Sequence, residues 1–203
     1  MKPHKLMHVA VVAALAAGSL PALAADVLSP GSSWEYTFAN PTADASWNTS
    51  TGGWSVGPAP FGNNTGGYGG TAYEFDYKTF WGADGRDGDD LWVRKAVDFT
   101  GFDIATAKWN LGADNGFKLY VNGALVASDN AEGYTYAWEY GGSLAGKLHS
   151  GVNFVAVALE DHGGLTAFDM RITAAPVPEP ETYAMMLAGL GLLGAIARRR
   201  KAA

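Results

Sequence analysis

The densest set of chemically capable side chains is Asp84-Gly-Arg-Asp87-Gly-Asp89-Asp90, four carboxylates within seven residues. Carboxylate oxygens gathered by tight glycine turns suit a hard cation such as calcium. The spacing departs from an EF-hand, because no glutamate occupies the twelfth position and no flanking helices are apparent. A solvated acidic turn is the plainer alternative, so a structural calcium at Asp84, Asp87, Asp89 and Asp90 is an expectation to be tested.

Aromatic rings are the second resource. Trp47, Trp54, Tyr68, Tyr73 and Trp81 lie in glycine- and asparagine-rich stretches, where a ligand surface is easier to build than on a packed strand. A sugar ring has apolar C–H faces and hydroxyls that seek hydrogen bonds, so exposed indole and phenol rings suit it. Tyr134, Tyr136, Trp138 and Tyr140 recur at spacing two, which on a strand puts four rings on one face. Packing in a core is the expected role for most of these four.

Catalytic signatures are sparse. Outside the first residues the histidines are His149 and His162, too few for a three-histidine zinc site, and the H-E-x-x-H helix is missing. There is no G-x-S-x-G nucleophile elbow. Asp161-His162 places its two side chains on opposite faces if the backbone is extended, so a turn with an exposed histidine is expected. Glycosidase chemistry needs two carboxylates at a defined separation, which sequence does not specify. No residue is assigned a catalytic role.

The elements that must carry these groups read as strands. Phe117 to Val121 and Ala124 to Ala127 alternate around Asn122-Gly123, the pair best suited to the positive φ angles of a type I′ hairpin turn. Leu91, Val93, Val97 and Phe99 alternate with Trp92, Arg94, Ala96 and Asp98, with Lys95 interrupting the apolar side. Val155, Val157 and Leu159 alternate, as do Phe168, Met170 and Ile172, and Trp109 with Leu111 forms a further short strand. No segment between Asp26 and Ala175 shows an apolar period of 3.6. Glycine clusters punctuate the strands, which predicts an all-β, antiparallel β-sandwich of jelly-roll type.

The two ends have a different composition. Lys2 and Lys5, an apolar run from Val9 to Ala17 and Ala22-Leu23-Ala24 have the order of a signal peptide, with cleavage after Ala24. Between the ends, residues 25–175 have the length of one domain. The chain has no cysteine, so its core or bound ions must hold it. Six of the fourteen basic residues lie at the ends and two of the twenty acids in the tail. The central domain therefore carries about −10, which argues against nucleic acid as a partner.

The tail joins Val177-Pro178-Glu179-Pro180 to fourteen uncharged residues, Ala184 to Ala197, and then to Arg198, Arg199, Arg200 and Lys201. As a helix, expected over 183–197, the apolar run spans about 21 Å against roughly 30 Å of hydrocarbon. Snorkelling arginines extend it toward a marginal, transient insertion in the inner membrane with the basic end cytoplasmic. The G-x-G-x-x-G spacing of Gly189, Gly191 and Gly194 lacks the preceding strand and following acid of a dinucleotide site. In its three parts and their order, this tail resembles a PEP-CTERM sorting signal, covering Pro176 to Lys201. The resemblance implies a Gram-negative bacterium, an exosortase that recognises Pro-Glu-Pro and removes the tail, and delivery to the cell surface or an exopolysaccharide matrix.

A second resemblance covers about Trp54 to Ile172. "APFG" (59–62), "LWVRKAVDF" (91–99), "DNGFKLYVNGALV" (114–126), "EGYTYAWEY" (132–140) and "LEDHGGLTAFDMRI" (159–172) resemble the framework strands of galactose-binding-like jelly rolls. That family implies a non-catalytic module, often sugar-binding through loops at one end and often holding a structural calcium. Asp161 and Asp169 are alternative ligands on this view. The combined expectation is an exported, non-catalytic sandwich contacting glycans, with a self-associating matrix protein as the alternative and a polysaccharide-processing enzyme behind both.

Overall fold

The computed structural model describes residues 23–63, 77–82, 90–130, 138–178 and 180–202. Tyr68, Tyr73, Asp84, Asp87, Asp89, Tyr134, Tyr136 and most of the signal peptide lie outside the described residues. The strands are Ala25–Leu28 (β1), Ser33–Thr37 (β2), Ser55–Pro58 (β3), Phe61–Gly62 (β4), Thr79–Phe80 (β5), Leu91–Asp98 (β6) and Phe102–Asp114 (β7). Phe117–Val121 (β8), Ala124–Asp129 (β9), Tyr140–Ser143 (β10), Val152–Leu159 (β11) and Ala167–Pro176 (β12) follow, then one helix, Pro180–Ala202 (α1).

Two sheets result, the expected all-β sandwich. One has the order β10-β7-β12-β4-β5, with β1 also pairing β12; the other runs β3-β2-β6-β11-β8-β9. The β4–β5 pair is parallel, and the other pairs are antiparallel. Alternation decides which side of each strand meets the partner sheet. Leu91, Val93 and Val97 of β6, Val155, Val157 and Leu159 of β11, and Phe168, Met170 and Ile172 of β12 all enter one core. Each such side chain stabilises the fold by roughly 1.5–3 kcal/mol relative to exposure. Phe99, one residue beyond β6, is also fully buried there. Lys95 turns its ammonium to the Ser33 carbonyl at 2.7 Å, which accommodates a cation on the apolar side of β6.

The β8–β9 hairpin forms at Asn122-Gly123, with φ of 50° and 82°. A Cβ on Gly123 would also lie 2.7 Å from the Thr49 side chain, so this glycine is required twice over.

Three expectations change. Trp109 and Leu111 belong to a thirteen-residue strand, β7, whose first half alternates too weakly to be read because Asp103, Ala105, Thr106 and Lys108 are exposed. The four-ring strand face fails at Trp138, which lies in a turn with φ of 64°, while Tyr140 opens β10 and packs on Phe117 at 4.8 Å. The C-terminal helix is longer than residues 183–197. It starts at Pro180, whose fixed φ and missing N–H suit a first helical turn, and continues through the basic cluster.

Candidate functional site

The outer face of the β6 sheet carries a covering loop between β2 and β3. Trp92 and Arg94 point outward from β6, opposite the core residues Leu91 and Val93. Trp47 packs there with Trp92 and Ala156 as a second buried apolar cluster, its ring edge-on to Tyr120 at 5.3 Å. Arg94, 4% exposed, ties the loop down. Its Nε donates to Glu35 Oε2 at 3.0 Å, its Nη1 to the Trp47 carbonyl at 3.2 Å, and its Nη2 to the Gly52 carbonyl. Glu35 in turn accepts the Gly52 amide at 2.7 and 2.6 Å on its two oxygens. The cation is thus paired and hydrogen-bonded, as a buried charge must be.

This clamp presents Trp54. The Arg94 guanidinium lies 3.9 Å from the Trp54 ring centroid, a cation–π contact that supports the ring from one side. Trp54 then lines an open groove of about 410 Å³ with Tyr36, Thr37, Phe38, Ala39, Gly53 and Ser55. Phe38 is 46% exposed and meets Tyr36 edge to face at 5.6 Å. None of these lining residues carries a charge. A shallow aromatic groove with hydroxyls and backbone amides at hand suits a neutral ring with an apolar face and polar rim.

The structure divides the aromatic candidates. Trp54 is half-buried and lines the groove, whereas Trp47 and Trp81 are 6% and 0% exposed and serve as packing. Trp81 enters the main core, and its carbonyl accepts the Thr166 hydroxyl. Sequence reasoning passed over Tyr36 and Phe38. Their spacing of two across the end of β2 is the signal that points to them.

At one end of the sandwich the polar groups are buried. Asp90 is half-buried and its Oδ1 accepts the Asp161 amide at 3.2 Å. Asp161 Oδ1 accepts the Gly163 amide at 2.7 Å, and Asn115 Oδ1 accepts the His162 amide at 3.0 Å. Asp114, 3% exposed, is pushed up to about 7 by burial first and by the neighbouring Asp161 second. Asp114 was not singled out from sequence; an acid ending a long strand just before Asn115-Gly116 is the only mark it leaves. Asp169 is elsewhere, raised to about 6 by burial and partly restored by amide donation from Met170 and Gly31. Asp161 therefore joins Asp90 and Asp114 rather than Asp169. No group of three histidine, aspartate or glutamate side chains is disposed to hold a metal among the described residues.

The two histidines are separate. His149 is exposed with Nδ1 3.0 Å from the Ser150 carbonyl oxygen. His162 is exposed beside buried Asp161, its Nε2 3.6 Å from Glu160 Oε2. His162 is thus the exposed histidine of this stretch, while Asp161 is buried.

In the tail, Pro176 closes β12 and the Val177 amide donates to the Gly101 carbonyl at 2.8 Å. Pro178 precedes Glu179, which lies outside the described residues, and Pro180 begins α1. Met185, Leu187, Leu192 and Leu193 are exposed along the helix, as are Arg198, Arg199 and Arg200; Lys201 extends the same helix. Gly189, Gly191 and Gly194 lie inside α1, which removes the dinucleotide reading. No helix among the described residues is long and apolar enough to cross a membrane. The expected membrane-spanning character is corrected accordingly: the apolar stretch is short, rich in glycine and alanine, and closed by cations.

Residues 176–201 match the PEP-CTERM protein-sorting motif. No curated protein matches the chain. The sandwich is similar to part of a β-glucuronidase from an uncultured Clostridium species, at 9% identity and TM-score 0.50, over 77% of this chain and 29% of that one. It is likewise similar to part of the Ruminococcus gnavus β-glucuronidase in complex with D-glucaro-d-lactam, at 11% identity and TM-score 0.50, over 77% and 30% of the respective chains. This chain spans less than a third of those enzymes, and the likeness is one of fold. Behind its β-sandwich the chain carries a PEP-CTERM sorting motif, the mark of exported, exosortase-processed cargo.

Proposed function

We propose that this exported sandwich is a non-catalytic module that contacts a neutral glycan of the cell surface or exopolysaccharide through the Trp54 groove. The observation that carries the reading is Trp54 itself, braced by a buried arginine and lining an open groove with Tyr36 and Phe38. Bracing limits the conformational entropy lost when a ligand stacks on the ring. The strongly acidic domain disfavours anionic polymers at long range, and the uncharged groove disfavours them at contact. Exosortase is the processing partner, and the inner membrane is its transient site of action. The test is a neutral and acidic glycan array probed with the full chain. Retention on neutral polysaccharides supports the reading; no retention on any, the host's own included, ends it.

A second reading, self-association in a matrix, has its own support. The edge strands β3 and β9 carry exposed apolar side chains, Val56 at 69% and Leu125 at 54%, and such edges invite pairing with another chain. Concentration-dependent assembly without glycan retention would favour it.

A further inference from the structure

Pro178-Glu179-Pro180 follows the sandwich without a spacer. β12 runs to Pro176, with Ala175 opposite Asp103 and Pro176 opposite Phe102 on β7. One residue later the Val177 amide donates to the Gly101 carbonyl at 2.8 Å. The Ala175 amide donates to the Thr106 hydroxyl oxygen, also at 2.8 Å. The receiving turn is well tied. Asp98 Oδ1 accepts the Thr100 amide at 2.8 Å and the Thr100 hydroxyl at 2.7 Å, and the Phe102 amide donates to the Phe99 carbonyl at 3.1 Å. Gly101 supplies the φ of 81° that this turn needs. The sandwich therefore holds the chain by its backbone up to the residue before the sorting motif.

Hydrogen bonds, not packing, hold this end. Ala174 is fully buried and pairs with Ala25 of β1, whereas Pro176 is exposed and Val177 is 52% exposed. Lifting residues 175–177 therefore takes no fully buried side chain out of the core. Openings of this kind lie at the low end of the local stabilities within a folded chain. Three released residues supply about 10 Å of extended chain, at about 3.3 Å per residue. The opening stops at Ala174, where the core and the β1 pairing begin.

We infer, on the exosortase reading proposed above, that residues 175–177 belong to the segment the sorting protease takes, and that they lift from the Gly101 turn as a strap when it does. An extended peptide docks on a partner through its own amides and carbonyls, so an amide given to Gly101 or Thr106 is withheld from the protease. With the strap down, the folded end of β7 stands directly against the motif. With it lifted, the motif gains the reach of three residues. Tail removal then follows the fraction of chains whose strap is open, as proteolysis does when opening and closing are fast beside cutting.

The experiment follows loss of the tail from the full chain by mass spectrometry, after a pulse of synthesis in cells that carry the sorting protease. Thr106→Val removes the acceptor of the Ala175 amide and leaves the motif untouched. It should speed tail removal roughly two- to tenfold, the worth of one hydrogen bond. Asp103→Cys with Ala175→Cys sets a disulfide across a directly paired position, in a chain otherwise free of cysteine. The oxidised form should keep its tail about tenfold longer or more, and reductant should restore cutting in the same protein. A Gly-Ser linker inserted between Val177 and Pro178 should make tail removal insensitive to both changes. An oxidised chain cut as fast as its reduced form overturns the strap, as does Thr106→Val cut at the wild-type rate. So does a disulfide effect that persists with the linker in place, which would put the restraint elsewhere. A wild-type chain that keeps its tail ends the exosortase reading and the strap together, whereas the other contrary results end the strap alone.

Discussion

Glu35 on the outer face and Asp114 at the end of the sandwich are both carboxylates drawn out of water, with opposite surroundings. Glu35 meets the Arg94 guanidinium at 3.0 Å and a loop amide, in a network that also engages two carbonyls and an indole face. Asp114 meets a second acid. The first arrangement fixes one loop conformation and needs nothing added. The second raises the cost of ionising Asp114, so its charge depends on pH. Burial of charge thus has two meanings in one small domain, and the neighbours decide which applies.

The largest effect that can break this contrast is at the clamp. Arg94→Met should cost about 3–5 kcal/mol, because it leaves Glu35 partly buried without its cation and two carbonyls without a donor. Urea unfolding measures it; a loss under 1 kcal/mol would mean that the loop is held by Trp47 packing alone. The double variant Glu35→Gln, Arg94→Met should lose less than the sum of its parts.

At the acidic end the sign reverses. Asp114→Asn should gain about 1–3 kcal/mol at pH 8, since it removes a buried repulsion. The pH dependence follows from the direction of the shifts. Asp114 and Asp169 are raised from 3.8 to about 7 and about 6, so their contribution is fully present below about pH 4. It is lost as pH rises through those folded values. Wild-type stability should therefore decline from about pH 4 to 7, and Asp114→Asn should flatten the upper part of that decline. A profile identical in both proteins would remove Asp114 from the account.

The smallest effect is expected at the rim. Lys118 and Glu160 form an ion pair at 2.8 Å with side chains 50% and 27% exposed. Lys118→Met should change stability by under about 1 kcal/mol, with the residue sensitive to salt. A larger loss would show that Lys118 screens the acidic end.

Much of the framework was legible because one face of each strand is buried. Alternation located β6, β11 and β12, and Asn122-Gly123 located the hairpin by the φ angles it alone tolerates well. The tail was legible as a linear motif that needs no tertiary partner. β7 was read only in its second half, because in its first half Phe102 and Ile104 pack only partly against the core and Ala107 is small. Trp47 and Trp81 read as loop residues, which they are, but both rings are buried in the apolar clusters. Trp54 lines the groove, and Phe38 and Tyr36 became candidates only once β2 placed them beside it. Asp114 and Asp161 were not read together, because β8, β9, β10 and β11 separate them in sequence, while Asn115–Glu160 and Glu160–Gly116 backbone bonds tie the end of β7 to the end of β11.

The central claim is that a braced, partly exposed Trp54 contacts a neutral glycan. It is tested most directly by affinity electrophoresis of the wild-type chain and Trp54→Ala through gels containing neutral polysaccharide. The account predicts that the wild-type chain is retarded, that Trp54→Ala migrates freely, and that the variant melts within a few degrees of the wild type. Equal retardation of the two proteins, or free migration of both, would contradict it.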